Sequence, residues 1–191
     1  MTTPAQHRRE RERAQRHQLI ISSARELADA EGWDAVTTRR LADRIEYSQP
    51  VLYSHFADKG AIIDAVALQG FTELLEVLRS ARAGRADADQ LDAVAGAYLT
   101  FADEQPALYD AMFTLASDLP FGTPEAPSPL RAAFGELLAA FAVHAAGRDV
   151  HVLTEVGWSA LHGLATLTRA HRLRPDLRDQ RLPLLLDLLR A

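Results

Sequence analysis

The stretch TTRRLADRIEYSQPVLYSHFADK, residues 37–59, is the part of the sequence that most constrains how this chain can fold. Thr37 can cap a helix whose apolar residues Leu41 and Ile45 recur at helical spacing. A second apolar run follows three residues later, and its proline fits a helix only in the first turn, where a missing N–H costs nothing. The stretch therefore predicts two short helices joined by a tight turn, the second beginning near Ser48.

Two such helices form a helix-turn-helix, in which the second helix enters the DNA major groove and the first crosses the backbone. The stretch resembles the DNA-binding domain of the TetR family of bacterial transcription regulators through Thr37, Thr38, Leu41, Ala42, Ser48, Leu52, Tyr53, His55, Phe56 and Lys59. It departs from the family at Glu46, where Gly is usual. The turn favours positive φ, so a non-Gly residue there costs about 1 to 2 kcal/mol. Arg44 is a candidate to neutralise this carboxylate.

Side-chain chemistry divides the candidate DNA contacts into base readers and phosphate holders. Gln49 can pair with adenine, Arg39 can reach guanine or a phosphate, and Val51 can touch a thymine methyl. The residues expected to hold phosphates are Thr38, Tyr53, His55 and Lys59, the last near a helix N-terminus that favours anions. Ser48 and Pro50 complete the predicted DNA-binding set. Two alternatives stay open: Tyr53 could pack in the core, and His55 could pack or cap.

The distribution of charge reconciles a net charge of -5 with DNA binding. Residues 1–60 hold ten Lys/Arg against nine Asp/Glu, whereas residues 61–191 hold eleven against seventeen. Residues 1–16 hold five arginines against two glutamates, so the phosphate-facing surface can be positive while the whole chain is acidic. Residues 1–12 lack apolar periodicity and predict a disordered basic arm, either a solvated tail or an arm that contacts phosphates or the minor groove.

Several classes of protein are disfavoured by composition. No stretch approaches the ~18 apolar residues that cross a bilayer, and no signal peptide is apparent, so we expect a cytoplasmic protein with no membrane partner. The absence of cysteine excludes thiolate sites, and the histidines form no close pair, so neither a metal nor a cofactor is expected. No catalytic residue is predicted. Ser54 and His55 are helical neighbours whose side chains diverge, which disfavours an enzyme.

The punctuation of the chain predicts an all-α fold. A first helix is predicted from about residue 13 to residue 31, where Gly32 stops it. The resemblance to the TetR family implies two functional domains: residues 13–60 are expected to form a three-helix DNA-binding domain around the helix-turn-helix, and residues 61–191 a helical ligand-binding and dimerisation domain. A long helix over residues 58–80 would link them. The remaining predicted helices span about 91–104, 106–119, 128–146, 149–172 and 176–190.

The helix predicted over residues 149–172 carries apolar or small residues around nearly its whole circumference. Such a helix must be covered on two sides, one of them by a second copy of the chain. The pattern assigns Leu153 and Val156 to one face. Trp158, His162 and Gly163 resemble the Trp-His-Gly signature of one group of TetR C-terminal domains. This resemblance implies a homodimer held by the last two helices and a ligand cavity between the other regulatory helices.

The candidate ligand-binding residues are aromatic or soft side chains suited to an apolar pocket: Trp158, His162, Tyr98, Phe101, Tyr109, Met112 and Phe113. Most could equally be core, but Trp158 and His162 bring polar groups to an apolar helix. The scarcity of Lys and Arg among these residues favours a neutral or hydrophobic effector. Together, these patterns and the TetR resemblance imply a ligand-responsive repressor that binds palindromic operator DNA as a homodimer. A transcriptional activator of the same family and a helical scaffold that does not bind DNA are the alternatives.

Overall fold

The computed structural model describes residues 3–116 and 119–190, and all regular structure within these ranges is helical. The α-helices are α1 Pro4–Glu31, α2 Thr38–Arg44, α3 Gln49–Tyr53, α4 Lys59–Arg82, α5 Asp87–Glu104, α6 Pro106–Asp110, α7 Ser128–Ala142, α8 Val150–Arg169 and α9 Arg178–Arg190. Two 3-10 turns, Trp33–Ala35 and Pro175–Leu177, and a π-helical segment, Ala111–Leu115, complete these elements. The predicted all-α fold is confirmed for this part of the chain.

The chain divides into two compact units. The first holds Met1–Gly70 and Pro106–Leu119, and the second holds Phe71–Gln105 and Pro120–Ala191. Helix α4 contributes residues to both, so the first unit runs beyond residue 60 and also takes in α6. The division into a DNA-binding domain that ends at residue 60 and a regulatory domain that follows stays a prediction.

Helix α1 begins well before the position that apolar periodicity indicates. Thr3 caps the helix, because its hydroxyl accepts from the Gln6 backbone N–H at 3.4 Å while the Gln6 side chain accepts from the Thr3 N–H at 2.6 Å. This reciprocal capping box satisfies two backbone donors that a helix start leaves unpaired. Pro4 occupies the first turn, where its fixed φ suits a helix.

The basic arm predicted to be disordered is therefore ordered: Thr3 is the N-cap and residues 4–12 are helical. Met1 and Thr2 lie outside the described residues. Arg8 and Glu12, one turn apart with a 3.8 Å ion pair, add local support. Capping and spaced opposite charges form this helix without a buried face, which is why a search for apolar periodicity misses it.

The core of the first unit holds the helix-turn-helix in place. Ile20, Leu27 and Leu41 are almost fully buried, so the apolar stripes of α1 and α2 face inward. Helix α1 ends at Glu31, and Gly32 is the C-cap that stops it, as predicted. Gly32 has φ +81° and donates its N–H to the Ala28 carbonyl at 2.8 Å. The 3-10 turn that follows carries the chain into α2.

The second unit is packed around α8. Leu153 and Leu161 are buried, and Gly157 lies so close to Phe141 that an added Cβ would stand 2.2 Å from the ring Cζ. Val156, by contrast, is exposed. Leu153 and Val156, which the sequence pattern assigns to one apolar face, therefore differ in burial. Apolar residues surround this helix, so the sequence pattern alone does not decide which of them point inward.

Several helix ends differ from the predicted ones. Helix α5 begins at Asp87, α7 ends at Ala142 and α8 ends at Arg169, each within a few residues of the expected position. The helix predicted over residues 106–119 consists of α6 followed by the π-helical segment, and its Ser117 and Asp118 lie outside the described residues.

Candidate nucleic-acid interface

The turn between α2 and α3 adopts the backbone conformation that its position predicts. Glu46 has φ +56°, in the left-handed region. The Tyr47 N–H donates to the Ala42 carbonyl at 3.0 Å, which closes the turn. At the start of α2, the Thr37 hydroxyl accepts from the Arg40 N–H at 3.2 Å. The chain thus forms its helix-turn-helix with a strained non-glycine residue at the turn, at a cost of about 1 to 2 kcal/mol.

Two ion pairs connect α2 to α1. Arg44 pairs with Glu26 at 2.9 Å, so the suggestion that it neutralises Glu46 is wrong. Arg40 donates to both carboxylate oxygens of Glu31, at 2.6 and 2.9 Å. The hydrogen bond from Arg40 lowers the pKa of Glu31, and its charge lowers it further. Both pairs orient α2 against the helix that supports it.

Helix α3 has the start that the sequence predicts. Ser48 is its N-cap residue and Pro50 lies in the first turn. Leu52 is 1% exposed and anchors the helix in the core of the first unit. The Ser54 hydroxyl donates to the Val51 carbonyl at 2.6 Å. This bond commits the hydroxyl to the helix end.

The predicted DNA-binding residues belong to α2, α3, the residues just after α3 and the start of α4, and none of them is fully buried. The exposed members are Arg39, Ser48, Gln49, Pro50 and Tyr53, and the half-buried members are Thr38, Val51, His55 and Lys59. Tyr53 is 53% exposed, which excludes the alternative that it packs in the core. Its phenolic oxygen lies 3.5 Å from the Thr38 hydroxyl, so these two hydroxyls form one polar site.

Lys59 lies at the first residue of α4 and is tied to the turn after α1. Its ammonium donates to the Trp33 carbonyl at 2.6 Å, and the Trp33 indole N–H donates to the Ala107 carbonyl at 2.8 Å. Asp58 caps α4 by accepting from the Ala61 N–H at 2.9 Å, as predicted. An ammonium carries three N–H donors, so the bond to Trp33 leaves donors that can meet a phosphate.

His55 lies among cations that sequence reasoning did not connect with it. Burial lowers the pKa of His55, and the charges of Arg13, His17 and Arg16 lower it further. The His17 and His55 rings are 6.0 Å apart, and Nδ1 of His55 has no hydrogen-bond partner within the described ranges. The local potential is therefore positive where α1 passes the end of α3. In the sequence, the five arginines of residues 1–16 are the feature that indicates this positive charge near His55.

The predicted ligand-binding residues fall into two groups. Tyr98, Phe101, Trp158 and His162 belong to the second unit, whereas Tyr109, Met112 and Phe113 belong to the first. In the second unit the Trp158 indole N–H donates to the Tyr98 hydroxyl at 3.0 Å, and the Trp158 and His162 rings are 6.3 Å apart. Burial lowers the pKa of His162, and Arg169 lowers it further.

The second group surrounds the π-helical segment. The Tyr109 and Phe113 rings are 4.7 Å apart, and Met112 is fully buried against α4. A Cβ added at Gly70 would stand 2.6 Å from the Met112 sulfur, so glycine permits this close approach. π-Helical turns often occur at functional sites.

A groove between α5, α8 and α9 was not predicted. Its volume is about 60 Å³, and its lining includes Leu99, Asp103, Leu164, Arg169, Arg178 and Arg181. Arg178 pairs with Asp103 at 2.9 Å. Pockets for drug-sized ligands usually measure about 300 to 1,000 Å³, so this groove is too small for one. None of the seven predicted ligand-binding residues lines it.

Neither a membrane-spanning helix nor a cluster of metal ligands is found where the structure describes the chain. None of the helices in residues 3–116 and 119–190 combines the length and apolarity that a bilayer span requires. The same residues include no group of three or more His, Cys, Asp or Glu side chains arranged to hold a metal ion.

Two sequence-family models match this chain. The model described as "Bacterial regulatory proteins, tetR family" matches residues 20–66, which include the helix-turn-helix. The model described as "Tetracyclin repressor-like, C-terminal domain" matches residues 91–189. The resemblance to the Trp-His-Gly group of C-terminal domains stays a prediction.

Similar proteins agree with these matches. The chain is 30% identical over 151 residues to the uncharacterized HTH-type transcriptional regulator Rv0681 of Mycobacterium tuberculosis, an alignment covering 78% of this chain and 67% of the relative. A bacterial regulatory protein in the tetR family from Rhodococcus RHA1 has TM-score 0.63 and 19% identity, covering 91% of this chain and 96% of that one. A TetR variant from Acinetobacter baumannii AYE in complex with minocycline has TM-score 0.64 and 24% identity, covering 90% and 92%.

The structures share the fold, while the family models and the Mycobacterium relative establish the family. The predicted helix-turn-helix lies within the first matched segment, with its recognition helix exposed. This chain belongs to the tetR family of bacterial regulatory proteins and is a DNA-binding transcriptional regulator.

Proposed function

We propose that this regulator is a ligand-responsive repressor that binds a palindromic operator as a homodimer. The observation that carries the proposal is the two-sided character of α3. Leu52 fixes the helix in the core, while Gln49 and Tyr53 extend from its outer side. A helix held in this way presents polar side chains to a major groove without losing its packing.

The side chains of this surface divide into two roles. Gln49 reads adenine through its amide, Arg39 reads guanine or holds a phosphate, and Val51 contacts a thymine methyl. The residues that hold phosphates are Thr38, Tyr53, His55 and Lys59, with Ser48 and Pro50 bringing the start of α3 close to the backbone. Thr38 and Tyr53 act together, because their hydroxyls already meet at 3.5 Å.

The homodimer interface is proposed to lie on α8 and α9. On α8 a row of residues, here called the α8 stripe, repeats at every third or fourth position: the exposed Val152, Val156, Ser159 and Leu167 and the half-buried Gly163. Leu184 and Leu188, one turn apart on α9, are 62% and 67% exposed. Exposed apolar rows on adjacent helices favour burial against a second copy, and the open space around Gly163 permits close approach.

The effector is proposed to bind near Trp158 and His162. Trp158 combines an apolar ring with a donor already engaged by Tyr98, and the His162 ring lies beside it. These side chains suit a neutral or hydrophobic molecule that forms a hydrogen bond with Trp158, Tyr98 or His162. Tyr109, Met112 and Phe113 are proposed to respond to the effector through the π-helical segment, which belongs to the same unit as the DNA-binding helices.

Release of DNA is proposed to pass through the bonds that join Ala107, Trp33 and Lys59. A shift of α6 would displace the Ala107 carbonyl, which holds the Trp33 indole. The Trp33 carbonyl in turn positions Lys59 at the start of α4. To change a dimer from 99% to 1% DNA-competent, the effector must prefer the second state by about 5.5 kcal/mol.

Repression, rather than activation, is proposed because most members of the TetR family act as repressors. We also propose that the protein acts by binding alone and is not an enzyme. The Ser54 hydroxyl donates to a backbone carbonyl, so it does not form a nucleophile–base pair with His55. The proposed location is the cytoplasm, where bacterial operator DNA is found.

Selection of bound duplexes from a random DNA pool tests this function. The expected result is enrichment of a two-fold symmetric sequence with half-site centres about 34 to 36 Å apart or a multiple of that distance. Binding to the selected DNA should weaken steeply with salt. A reporter with the selected site at its promoter then separates repression from activation. Failure to enrich any sequence, with no salt-dependent retention of DNA, would favour the scaffold alternative.

A further inference from the structure

Helix α1 extends well beyond the core that it helps to build. Its first almost fully buried side chain is Ile20, whereas residues 3–15 are exposed throughout. At 1.5 Å per residue, residues 4–16 add roughly 20 Å of helix outside the core. A solvated helix of this length gains little stability from its backbone alone. Its side chains therefore decide what this segment can bind.

That surface is cationic and lies along one row. Residues 4–16 hold five arginines and two glutamates. Arg9, Arg13 and Arg16 precede Ile20 by eleven, seven and four residues, which is the spacing of one helix face. The row that packs in the core at Ile20 therefore continues outward as arginines. We call Arg9, Arg13 and Arg16 the α1 arginine row.

The row meets the end of the recognition helix. The Arg13 guanidinium donates to the Ser54 carbonyl at 3.5 Å, directly after α3. The His17 ring stacks on Phe56 with centroids 4.4 Å apart, which fixes α1 at this point. Burial lowers the pKa of His55, and the charges of Arg13, His17 and Arg16 lower it further, so these α1 side chains bring positive charge beside the end of α3. The arginine row thus begins where α3 ends and extends away from it.

We propose that residues 4–16 of α1 form a second DNA-binding element, in which the α1 arginine row binds phosphates of the duplex that flanks each half-site. This inference rests on the proposed DNA binding by α3. Since an α-helix is about 10 to 12 Å across and the minor groove about 6 Å wide, the element binds along the backbone and does not enter that groove. It adds affinity and salt dependence without base preference.

The chemistry of the segment favours DNA over a membrane. Residues 4–16 contain no Leu, Ile, Val, Phe or Trp, so this part of α1 has no apolar face to insert between lipids. An acidic protein could also bind the α1 arginine row, and comparing two DNA duplexes of different length separates these two partners. Continuity with the recognition helix at Ser54 favours the nucleic acid.

The test compares two duplexes that carry the selected operator. One ends at the outer edges of the half-sites, and the other extends about ten base pairs, one helical turn, beyond each edge. The variant is Arg9→Gln/Arg13→Gln/Arg16→Gln, which keeps helix propensity similar. The charge-matched control is Arg85→Gln/Arg148→Gln/Arg172→Gln, which removes three arginines from the second unit. Affinity is measured against salt for both duplexes.

The wild type and the control are expected to bind the longer duplex at least tenfold more tightly, and the variant to bind both duplexes equally. The salt slope on the longer duplex should fall in the variant by up to about 5, since each of six phosphate contacts in a dimer contributes roughly 0.9. The selected base sequence should not change.

Equal wild-type affinity for the two duplexes would overturn the inference, and so would equal salt slopes for the variant and the control. In either case the wild type would still bind the operator, so DNA recognition by α3 would stand. If the wild type retained no DNA at all, the proposed function itself would fail, and a protein partner for the arginine row would become the better explanation.

Discussion

The Trp33 indole N–H and the Ala107 carbonyl form a 2.8 Å hydrogen bond that joins the turn after α1 to α6, across 74 residues of sequence. Since the Trp33 carbonyl also accepts from Lys59, one residue connects the predicted phosphate contact to the segment that holds Tyr109, Met112 and Phe113. Hydrogen bonds of this kind couple two sites only when the groups at both sites differ between the DNA-binding state and the released state.

Trp33→Phe tests that connection. The substitution removes the indole donor and with it the hydrogen bond to the Ala107 carbonyl, so the free energy of unfolding should fall by about 1 kcal/mol and operator affinity should fall with it. Trp158→Phe is the matched control, because it removes a similar bond to Tyr98 in the second unit. Urea unfolding and DNA titration measure both variants. Equal operator affinities for the two would argue against the connection.

Gln49→Ala should weaken binding to the selected operator by about 1 to 3 kcal/mol and relax the base preference at one position of each half-site. Gln49 is exposed on α3 and its removal leaves the core intact. Gln90→Ala, on α5 of the second unit, serves as the control. Repeating the DNA selection with each variant provides the measurement. An unchanged consensus with Gln49→Ala would remove this residue from the base readers.

Gly163→Leu should raise the dissociation constant of the dimer. Gly163 lies in the middle of the α8 stripe, and a Cβ added there would meet no atom within 4 Å apart from the nearby backbone of its own helix. A leucine therefore fits the protomer but overpacks a close helix contact across the interface. Gly135→Leu, where a Cβ also meets nothing, is the control on α7. Sedimentation at decreasing protein concentration gives the result. A dimer as tight as the wild type would exclude Gly163 from the interface.

Gly157→Ala should destabilise the protein by roughly 1 to 3 kcal/mol, because the new methyl group collides with the buried Phe141 ring. Gly96→Ala, in the middle of α5, should instead be neutral or stabilise by up to about 1 kcal/mol through helix propensity, since open space surrounds its built Cβ. Urea midpoints at one protein concentration compare the two. Similar stabilities would contradict the close packing of α7 on α8.

His55 should make stability depend on pH. Burial and neighbouring cations lower its pKa in the folded state, so as pH falls below about 6.5 the unfolded chain takes up the proton first. The free energy of unfolding therefore falls with pH, and the stability that neutral His55 contributes at higher pH is lost. His55→Gln removes this dependence, whereas His151→Gln, exposed on α8, serves as the control. Urea midpoints near pH 5.5 and 7.5 are compared at fixed protein concentration. A His55→Gln profile parallel to that of the wild type would refute the assignment.

The sequence predicts the helix-turn-helix closely because its signals are local. Thr37, Ser48 and Pro50 fix helix starts within one turn. The left-handed conformation at Glu46 is expected because the resembling family usually has glycine at this position of the turn. The exposure of Tyr53 is different. An aromatic residue on a short helix is compatible with core or surface, and only the packing of α3 through Leu52 decides between them.

The features that the sequence does not predict depend on contacts between distant residues. The groove beside Arg178 exists because α9 returns to α5, and the bond from Lys59 to Trp33 joins residues 26 positions apart. The outward face of α8 is undecided in the sequence because Leu153 and Val156 are both apolar. The extension of α1 is the exception, because the Thr3 and Gln6 capping box is a local signal present in the sequence, while the extension lacks the apolar periodicity that predicts the rest of the helix.

The bond from Lys59 to Trp33 has a practical consequence, because Lys59 is the only lysine in the sequence and cysteine is absent. An amine-directed acylating reagent can therefore modify this side chain and, beyond it, only a free α-amino group. Acylation removes the ammonium charge that meets the Trp33 carbonyl at 2.6 Å. A single mass increment on the peptide containing Lys59, compared with and without operator DNA, reports how far this position is shielded without any engineered label.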